Sequence, residues 1–321
     1  MVTRREFLTA TFAACGAALS GPRIAFAGLK GPRYPDVVER PMQFGYAAIT
    51  WGNNVTQAID DIAAVGFRGI QLRGEAFAQF GARSQELREL LERRRLTFAV
   101  LSSGNLSIDP ARERDEIAAH TDHARFVRDA GGKYLQVIDE RPKGRTVVAD
   151  DYRRLGRLMT ELGKRTGDLG VPLVYHHHMN STGEKPPEVA AVLDAADPKH
   201  VRLLFDIAHY QQGGGDPVAA LRTYRDWIDV VHLKDVRPAP GAPSAATAQA
   251  ASPAQPARPA YQFVELGRGR VDVPGVFAAL RDIAFDKWAI VELDRVPDPG
   301  RTAKECAEQN RKYLLDHGFT L

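Results

Sequence analysis

The sequence predicts a (β/α)₈ TIM barrel, and three observations favour this fold class. Short apolar segments alternate with longer segments of helical periodicity, and the alternation repeats eight times after Met42. The strand-like segments are apolar at nearly every position, as expected of parallel strands buried on both faces. The chain has 321 residues, which is enough for one large core and for eight repeats of this size.

The first half of the predicted barrel contains four strand–helix units. Its strands are 44–49, 69–72, 96–101 and 134–138, and its helices are 56–65, 84–95, 112–130 and 150–169. Glycine follows three of these helices, at Gly66, Gly131 and Gly170. Glycine at this position can adopt the left-handed conformation that ends a helix and turns the chain toward the next strand.

The second half contains four more units. Its strands are 171–178, 201–205, 228–231 and 288–291, and its helices are 187–196, 217–224, 273–283 and 302–317. An open doubly wound sheet is the alternative. Such a sheet usually has a glycine-rich phosphate loop after its first strand, and residues 49–54 do not form one. The sequence therefore favours a single (β/α)₈ barrel domain over residues 42–321.

Residues 238–259 interrupt this pattern. The segment consists largely of Ala, Pro, Ser and Gln with almost no large apolar side chain, so it cannot contribute to a core. It lies between the seventh strand and its helix, which is the catalytic face of a barrel. We expect a tolerated low-complexity insertion, and a lid over the site is the alternative.

The first 27 residues predict a twin-arginine signal peptide. Residues 3–8 read Thr-Arg-Arg-Glu-Phe-Leu, an apolar run follows at 7–19, and Ala25-Phe26-Ala27 offers a cleavage site. The run is too short for a stable membrane span. We expect the twin-arginine export machinery to carry the folded protein to the periplasm. A basic N-terminal helix and a lipoprotein anchored at Cys15 are the alternatives.

The charge argues against a nucleic-acid-binding protein, and the cysteine content argues against an internal disulfide. The net charge of +3 falls to +1 when residues 1–27 are removed, and no basic run remains that could follow phosphates. The composition therefore gives no indication of nucleic-acid binding. Cys15 leaves with the signal and Cys306 remains alone, so no disulfide is expected within the mature chain.

Four predicted strands end in side chains that bind metals. These are His176, Asp206, His232 and Glu292. The carboxyl ends of barrel strands converge at one mouth, so the four side chains should meet there. Two imidazoles and two carboxylates suit Mn²⁺, Co²⁺, Zn²⁺ or Fe²⁺ better than Ca²⁺, and the lack of a thiolate argues against a structural zinc site. The alternative is four rim residues, each held by a hydrogen bond.

Two further histidines are candidates for proton transfer. Strand alternation puts His178 on the same face as His176, whereas His177 points the other way and should be packed and hydrogen-bonded. His209 lies three residues after Asp206, where it could contact substrate or transfer a proton. Orienting Asp206 is the alternative role for His209.

Three charged residues are candidates for substrate binding. Lys234 shares the face of His232, Glu140 follows the fourth strand, and Arg268 lies in a glycine-flanked turn. The alternatives are a salt bridge from Lys234 to Asp235, a solvated rim position for Glu140 and a structural turn arginine.

The chemistry that such a site supports is proton transfer next to a carbonyl. A bound metal can grip adjacent carbonyl and hydroxyl oxygens and stabilise an enediolate. Glu292 could take the carbon-bound proton, and a histidine such as His209 or His178 could return it to a neighbouring atom.

These residues resemble the sugar phosphate isomerase/epimerase superfamily, the xylose isomerase-like group that also contains inosose dehydratase, hydroxypyruvate isomerase, ketose 3-epimerases and endonuclease IV. The motifs are Tyr-His-His-His-Met-Asn at 175–180, Phe-Asp-Ile-Ala-His at 205–209, Val-His-Leu-Lys-Asp at 231–235 and Val-Glu-Leu at 291–293. The resemblance covers roughly residues 43–315. It implies one divalent metal, most often Mn²⁺ with Co²⁺, Zn²⁺, Fe²⁺ or Mg²⁺ as alternatives. The metal would be held by Asp206, His232, Glu292 and the strand-five residue.

The chain departs from its resemblance at two positions. The ketose epimerases have glutamate where this chain has His176, which puts their two-carboxylate mechanism in doubt here. The His-x-His form at 176–178 is more similar to the inosose dehydratase branch. Gln71 also stands where many members carry glutamate. The endonuclease branch needs a larger, histidine-rich metal site that this sequence lacks.

Three functions follow as hypotheses. The first is a periplasmic, metal-dependent isomerase or epimerase that acts on a sugar or polyol through an enediolate. The second is a lyase of the inosose dehydratase type, which eliminates a group β to a keto-sugar carbonyl. The third is a non-catalytic periplasmic sugar-binding barrel. An oligomer is compatible with each of them.

Overall fold

The computed structural model describes residues 41–241 and 261–321. The export signal predicted at 1–27 and most of the insertion predicted at 238–259 lie outside these ranges. The strands in chain order are β1 Gln43–Ala47, β2 Gly69–Arg73, β3 Thr97–Leu106, β4 Tyr134–Asp139, β5 Leu173–His176, β6 Val201–Asp206, β7 Ile228–Leu233, β8 Asp235–Pro238, β9 Tyr261–Val264 and β10 Trp288–Val291.

Eight of these strands form a closed parallel barrel. Their order around the barrel is β1-β10-β7-β6-β5-β4-β3-β2, which confirms the predicted fold class. The strands β8 and β9 form a separate antiparallel hairpin, which the sequence analysis did not predict. The hairpin stands at the two ends of the low-complexity segment and follows β7 after a single residue.

Ten α-helices lie in the described ranges. They are α1 Val55–Val65, α2 Gly74–Phe80, α3 Ser84–Arg93, α4 Glu113–Asp129, α5 Ala149–Asp168, α6 Pro186–Asp194, α7 Ile207–Gln212, α8 Pro217–Thr223, α9 Val273–Asp282 and α10 Ala303–Asp316, with 3₁₀ turns at Ala48–Trp51 and Gly81–Arg83. Eight agree with predicted helices to within two residues, and the short helices α2 and α7 were not predicted. The described helices include none that is long and apolar enough to cross a membrane.

The predicted glycine stops are confirmed at three helices. Gly66, Gly131 and Gly170 have φ of 103°, 78° and 75°, which is the left-handed region that favours glycine. Each one lies between the end of a helix and the start of the next strand, so its conformation redirects the chain into the barrel.

Helix α5 packs closely because two of its buried positions are glycines. A Cβ at Gly163 would lie 2.1 Å from the carbonyl oxygen of His200, and one at Gly156 would lie 2.5 Å from the backbone of Ala195. Gly167, on the exposed side of the same helix, has no atom within 4 Å of such a Cβ. The first two glycines therefore set how closely α5 approaches the chain between α6 and β6.

The apolar interior of the barrel determines where the polar site begins. Val174, Leu204, Val230 and Ile290 belong to one buried cluster inside the sheet. Side chains two positions apart on a strand point to the same side. The residues two positions after these four are His176, Asp206, His232 and Glu292. The four candidate ligands therefore form the next layer toward the carboxyl ends of the strands.

Candidate metal centre and active site

The four predicted metal ligands meet at the barrel mouth. Asp206 and His232 are register partners on β6 and β7. The Nδ1 atom of His232 lies 3.4 Å from Asp206 Oδ2 and 3.1 Å from Glu292 Oε2. The rings of His176 and His232 are 4.7 Å apart between centroids. One ligand atom each from His176, Asp206 and His232 lies within 4.8 Å of the other two, which is the arrangement of a metal site.

Unpaired atoms show that these residues fit a divalent cation. Among the described residues, only five buried side-chain nitrogen or oxygen atoms have no hydrogen-bond partner, and three of them are His176 Nδ1, Asp206 Oδ2 and His232 Nδ1. Buried polar atoms without a partner are rare because each costs about 1–3 kcal/mol. Three of them directed at one point, beside the Glu292 carboxylate, are explained by a cation bound there.

The neighbouring groups set the charge of these candidate ligands. Burial lowers the pKa of His176 well below its usual value, as do His232 and His178 nearby, so the ring is neutral. Burial raises the pKa of Asp206, but the nearby His232 ring and the charge of Lys234 lower it, and the net pKa is below the usual value. Burial lowers the pKa of His232 while the Glu292 and Asp206 carboxylates raise it, to about 9. The surroundings therefore favour positive charge between these groups.

The backbone around Asp206 orients its carboxylate. Asp206 Oδ1 accepts the amide protons of Ala208 and His209, both at 2.8 Å, and this cap begins α7. His177 Nε2 accepts the amide proton of Asp206 at 3.2 Å, which confirms that His177 is packed and hydrogen-bonded. With Oδ1 occupied by the cap, only Oδ2 of Asp206 faces the centre.

A second group of histidines shares His176 with the first. His176, His178 and His209 also bring their ligand atoms within 4.8 Å of one another. His178 Nδ1 donates to the carbonyl oxygen of Met179 at 2.7 Å, and the amide of Met179 donates to His209 Nδ1 at 3.3 Å. The Lys234 ammonium lies 3.4 Å from His209 Nε2 and would repel a cation. This group is therefore suited to proton transfer rather than to a second metal.

Lys234 is buried in the centre and does not pair with Asp235, the partner that the sequence offered as the alternative to substrate binding. Its Nζ lies 3.0 Å from Glu292 Oε2 and 2.5 Å from Asp294 Oδ1. Burial lowers the pKa of Lys234, but Asp294 and Glu292 raise it well above its usual value, so the ammonium stays charged. The Phe263 ring, on the β8–β9 hairpin, covers this ammonium at 4.0 Å.

Asp235 has a structural role. Its carboxylate accepts the amide protons of Val236, Gly267, Gly269 and Val271 at 2.8–3.0 Å. These bonds fix the turn 266–271 beside the hairpin. The carboxylate is fully used by the backbone, which explains why Lys234 finds its partners elsewhere.

The contacts of Glu292 favour a ligand role over a base role. Burial raises the pKa of Glu292, but the charges of His232 and Lys234 lower it, and the net pKa is well below its usual value. A carboxylate held between two cationic groups is a weak base. The predicted role of Glu292 as the proton-abstracting base stays a prediction, and its contacts do not support it.

The predicted substrate-binding residues lie in different places. Glu140 lies at the edge of a cavity of about 390 Å³ that also borders His178 and Asn180. Its carboxylate is 3.2 Å from Arg112 Nη1. Arg268 is not a free cation, because its guanidinium lies 2.7 Å from both Glu265 and Asp298. No contact in the described ranges brings Arg268 to the ligand cluster, so its substrate-binding role is not supported.

Sequence reasoning missed three residues of the site, Phe263, Asp294 and Gln136, and it noticed Gln71 without finding its role. Phe263 and Asp294 contact Lys234, and their roles depend on the hairpin and on the loop after β10. Gln71 and Gln136 are 1% and 2% exposed and connect to His232 through hydrogen bonds. A signal for the two glutamines existed, since each is a polar residue with an apolar neighbour on both sides in its strand.

Comparison with known proteins agrees with this geometry. A family model described as a xylose isomerase-like TIM barrel matches residues 59–315. The inosose dehydratase of Lacticaseibacillus casei is 27% identical over 300 residues, which cover 85% of this chain and 96% of that protein.

Solved structures of low identity share the fold. The IolI protein, solved with a bound zinc atom, has a TM-score of 0.70 and 18% identity and covers 87% of this chain and 100% of its own. The 3-keto-D-glucoside 4-epimerase of E. coli has a TM-score of 0.65 and 16% identity, with coverage of 86% and 99%. At such identities the likeness shows the fold alone.

Proposed function

The chain belongs to the xylose isomerase-like TIM barrel family, and we propose that it is a lyase that eliminates water or another group β to the ketone of a keto-polyol or keto-sugar. The inosose dehydratase similarity over 85% of the chain supports elimination over the isomerase or epimerase that was our first hypothesis. The observation that carries the proposal is the paired histidines His178 and His209 beside the ligand cluster, with ring centroids 3.8 Å apart.

The reaction requires one proton to leave carbon and one to reach oxygen. The bond from the α carbon to hydrogen breaks, its electrons form the new C=C bond, and the C–O bond at the β carbon breaks. A divalent cation held by the four ligands would polarise the ketone and an adjacent hydroxyl. The protein must supply the acid and the base.

His178 is the best placed group for both proton transfers. Its Nδ1 proton is fixed by the Met179 carbonyl, so Nε2 carries the free lone pair. The ring is half-buried at the edge of the 390 Å³ cavity, where substrate can enter. His178 Nε2 accepts the α proton, and the resulting imidazolium protonates the departing oxygen.

His209 assists by remaining neutral. Burial lowers the pKa of His209 well below its usual value, as do the nearby His178 and Lys234. The neutral ring, whose Nδ1 already accepts the Met179 amide proton, does not compete with His178 for the α proton. The Lys234 ammonium, beside His209, supplies positive charge near the substrate oxygens that become negative.

The test is product analysis with an inosose, the substrate class named for the relative, in D₂O with Mn²⁺ or Zn²⁺. Elimination gives a product that has lost one water and has a conjugated C=C bond. Isomerisation or epimerisation gives a product that has lost no water and carries deuterium on carbon. We expect elimination by the wild type and a loss of at least about 100-fold in His178→Asn. His200→Asn, at the opposite end of β6, is the matched control and should retain activity.

The other outcomes each exclude the proposal. Deuterium exchange with a rearranged product would establish the isomerase or epimerase, for which fold similarity to a keto-glucoside epimerase is the supporting observation. Binding of the keto-polyol without turnover, unchanged in Glu292→Gln, would establish a sugar-binding barrel.

A further inference from the structure

A chain of buried amides reaches His232 from the side opposite the metal-binding atoms. Gln71 Oε1 lies 2.8 Å from His232 Nε2. Gln71 Nε2 donates to Gln136 Oε1 at 3.1 Å, and Gln136 Nε2 donates to Ser102 Oγ at 3.3 Å. The chain crosses from β7 through β2 and β4 to β3, so it spans the inside of the barrel.

We infer that Gln71 and Gln136 are positioning residues that hold His232 in the tautomer a metal requires. The Asp206 and Glu292 carboxylates face Nδ1 of His232 at 3.4 Å and 3.1 Å. A ring that binds a cation at Nδ1 must keep its proton on Nε2. Gln71 Oε1 accepts that proton, and metal-binding histidines generally depend on such a partner for their orientation.

Gln136 is needed because an amide can turn over. A Gln71 side chain rotated by 180° would place its NH₂ group against the Nε2 proton of His232. In the observed orientation the NH₂ group of Gln71 has an acceptor in Gln136 Oε1. Both glutamines are buried, so neither can replace a lost partner with bulk water. The second glutamine therefore fixes the direction of the first.

The neutral charge of Gln71 also has a consequence. The buried centre contains the carboxylates of Asp206, Glu292 and Asp294 and the ammonium of Lys234. Three negative charges and one positive charge are balanced by one divalent cation. Glutamine directs His232 without adding a charge, whereas a glutamate would leave the loaded centre negative. Because Gln71 is neutral, one divalent ion and the Lys234 ammonium together balance the charge of the three carboxylates.

The test measures Zn²⁺ affinity of the purified full-length protein by competition with a chromophoric chelator, without substrate. Gln71→Met keeps the side-chain length and removes the acceptor, and we expect about 10–100-fold weaker binding. Gln136→Met should weaken Zn²⁺ binding less, because it removes only the acceptor that holds the Gln71 amide in its orientation. Gln71→Glu also accepts the Nε2 proton and should bind Zn²⁺ at least as tightly as the wild type.

A spectroscopic readout tests the tautomer directly. In Zn²⁺-loaded wild type labelled with ¹⁵N-histidine, His232 should show a slowly exchanging proton on Nε2 and none on Nδ1, identified by the loss of the signal in His232→Gln. This measurement needs no variant of Gln71, so it decides even if Gln71→Met does not fold.

The inference concerns metal holding and does not depend on which reaction the centre performs. It is overturned if Gln71→Met binds Zn²⁺ within about two-fold of wild type, or if Gln71→Glu is as weak as Gln71→Met. A His232 Nε2 without a proton, or a wild type that binds no Zn²⁺, would overturn it as well.

Discussion

At the scale of single residues, Lys234 decides how the centre is charged before a metal binds. It is 1% exposed and lies between the Glu292 and Asp294 carboxylates. A bound divalent ion would neutralise part of the negative charge of these carboxylates, alongside Lys234. The contribution of Lys234 to stability should therefore depend on whether metal is present.

We expect Lys234→Met to destabilise the metal-free protein by about 3–5 kcal/mol, because it leaves buried carboxylates without their cation. The metal-loaded protein should lose less, since the ion still neutralises Glu292. Urea unfolding of both forms measures the difference. Lys287→Met is the matched control, because Lys287 pairs with Asp229 in a more exposed site and should change both forms by only about 0–1 kcal/mol. Equal destabilisation of both forms of Lys234→Met would contradict this account.

At the scale of elements, helix α5 combines a packed and a free glycine position. Gly163→Ala would bring a methyl group to 2.1 Å from the His200 carbonyl oxygen. We expect a loss of about 1–3 kcal/mol in unfolding free energy from this overpacking. Gly167→Ala, one turn later on the exposed face, should instead stabilise the protein by roughly 0.4–1 kcal/mol through helix propensity. Thermal unfolding of the two variants decides this, and destabilisation by both would show that the helix tolerates no side chain there.

The contact between α4 and β3 predicts an acid sensitivity. His120 Nδ1 and His123 Nδ1 both contact Ser103 Oγ, at 2.5 Å and 2.7 Å. Burial lowers the pKa of both histidines from the usual 6.5, and for His123 the neighbouring His120 lowers it further. Below pH 6.5 the unfolded chain therefore binds protons that the folded state does not, so stability falls as the pH falls.

We expect the unfolding free energy of the wild type to be fully retained above about pH 6.5 and to decrease below it. His120→Gln and His123→Gln should each show a smaller decrease between pH 7.5 and 5, because one proton-binding site is removed. Urea titrations at both pH values provide the measurement. A pH dependence equal to that of wild type in both variants would show that these two rings are not responsible.

At the scale of the whole molecule, a bound metal would connect distant parts of the barrel. The candidate ligands come from β5, β6, β7 and the residue after β10, so an ion that binds only the folded chain would stabilise all four segments together. A cation at about 100 times its dissociation constant adds about 2.7 kcal/mol, which raises Tm by roughly 5 °C in a domain of this size. Asp206→Asn retains an oxygen that can cap α7 but weakens the site, so most of this shift should disappear. A metal-induced shift of the same size in Asp206→Asn would place the ion elsewhere.

Export is a second prediction for the whole chain, and we propose that Arg4 and Arg5 direct it. Replacing both with lysine should keep the protein in the cytoplasmic fraction of a bacterium that has a twin-arginine pathway. Arg23→Lys, outside the motif, is the control and should leave export intact. Periplasmic recovery of the double variant would exclude the twin-arginine route.

The sequence by itself determined the barrel and the four metal-ligand candidates. Both results depend on periodicity, because an apolar strand that ends in His176, Asp206, His232 or Glu292 shows its direction and its terminal side chain without any tertiary contact. The glycine stops at Gly66, Gly131 and Gly170 are equally local. Even the departure at Gln71 was visible, although its role was not.

Only the tertiary structure decided how these side chains are partnered. Lys234 pairs with Glu292 and Asp294 rather than with the adjacent Asp235, and Arg268 pairs with Glu265 and Asp298 instead of reaching the site. Gln71 contacts His232 across 161 positions of sequence. Strand patterns fix the side of the sheet to which a side chain points, but hydrogen bonds and ion pairs depend on distances of a few tenths of an ångström between segments far apart in the chain. For this reason the clustering of the candidate metal ligands was predictable, and the groups that orient and charge them were not.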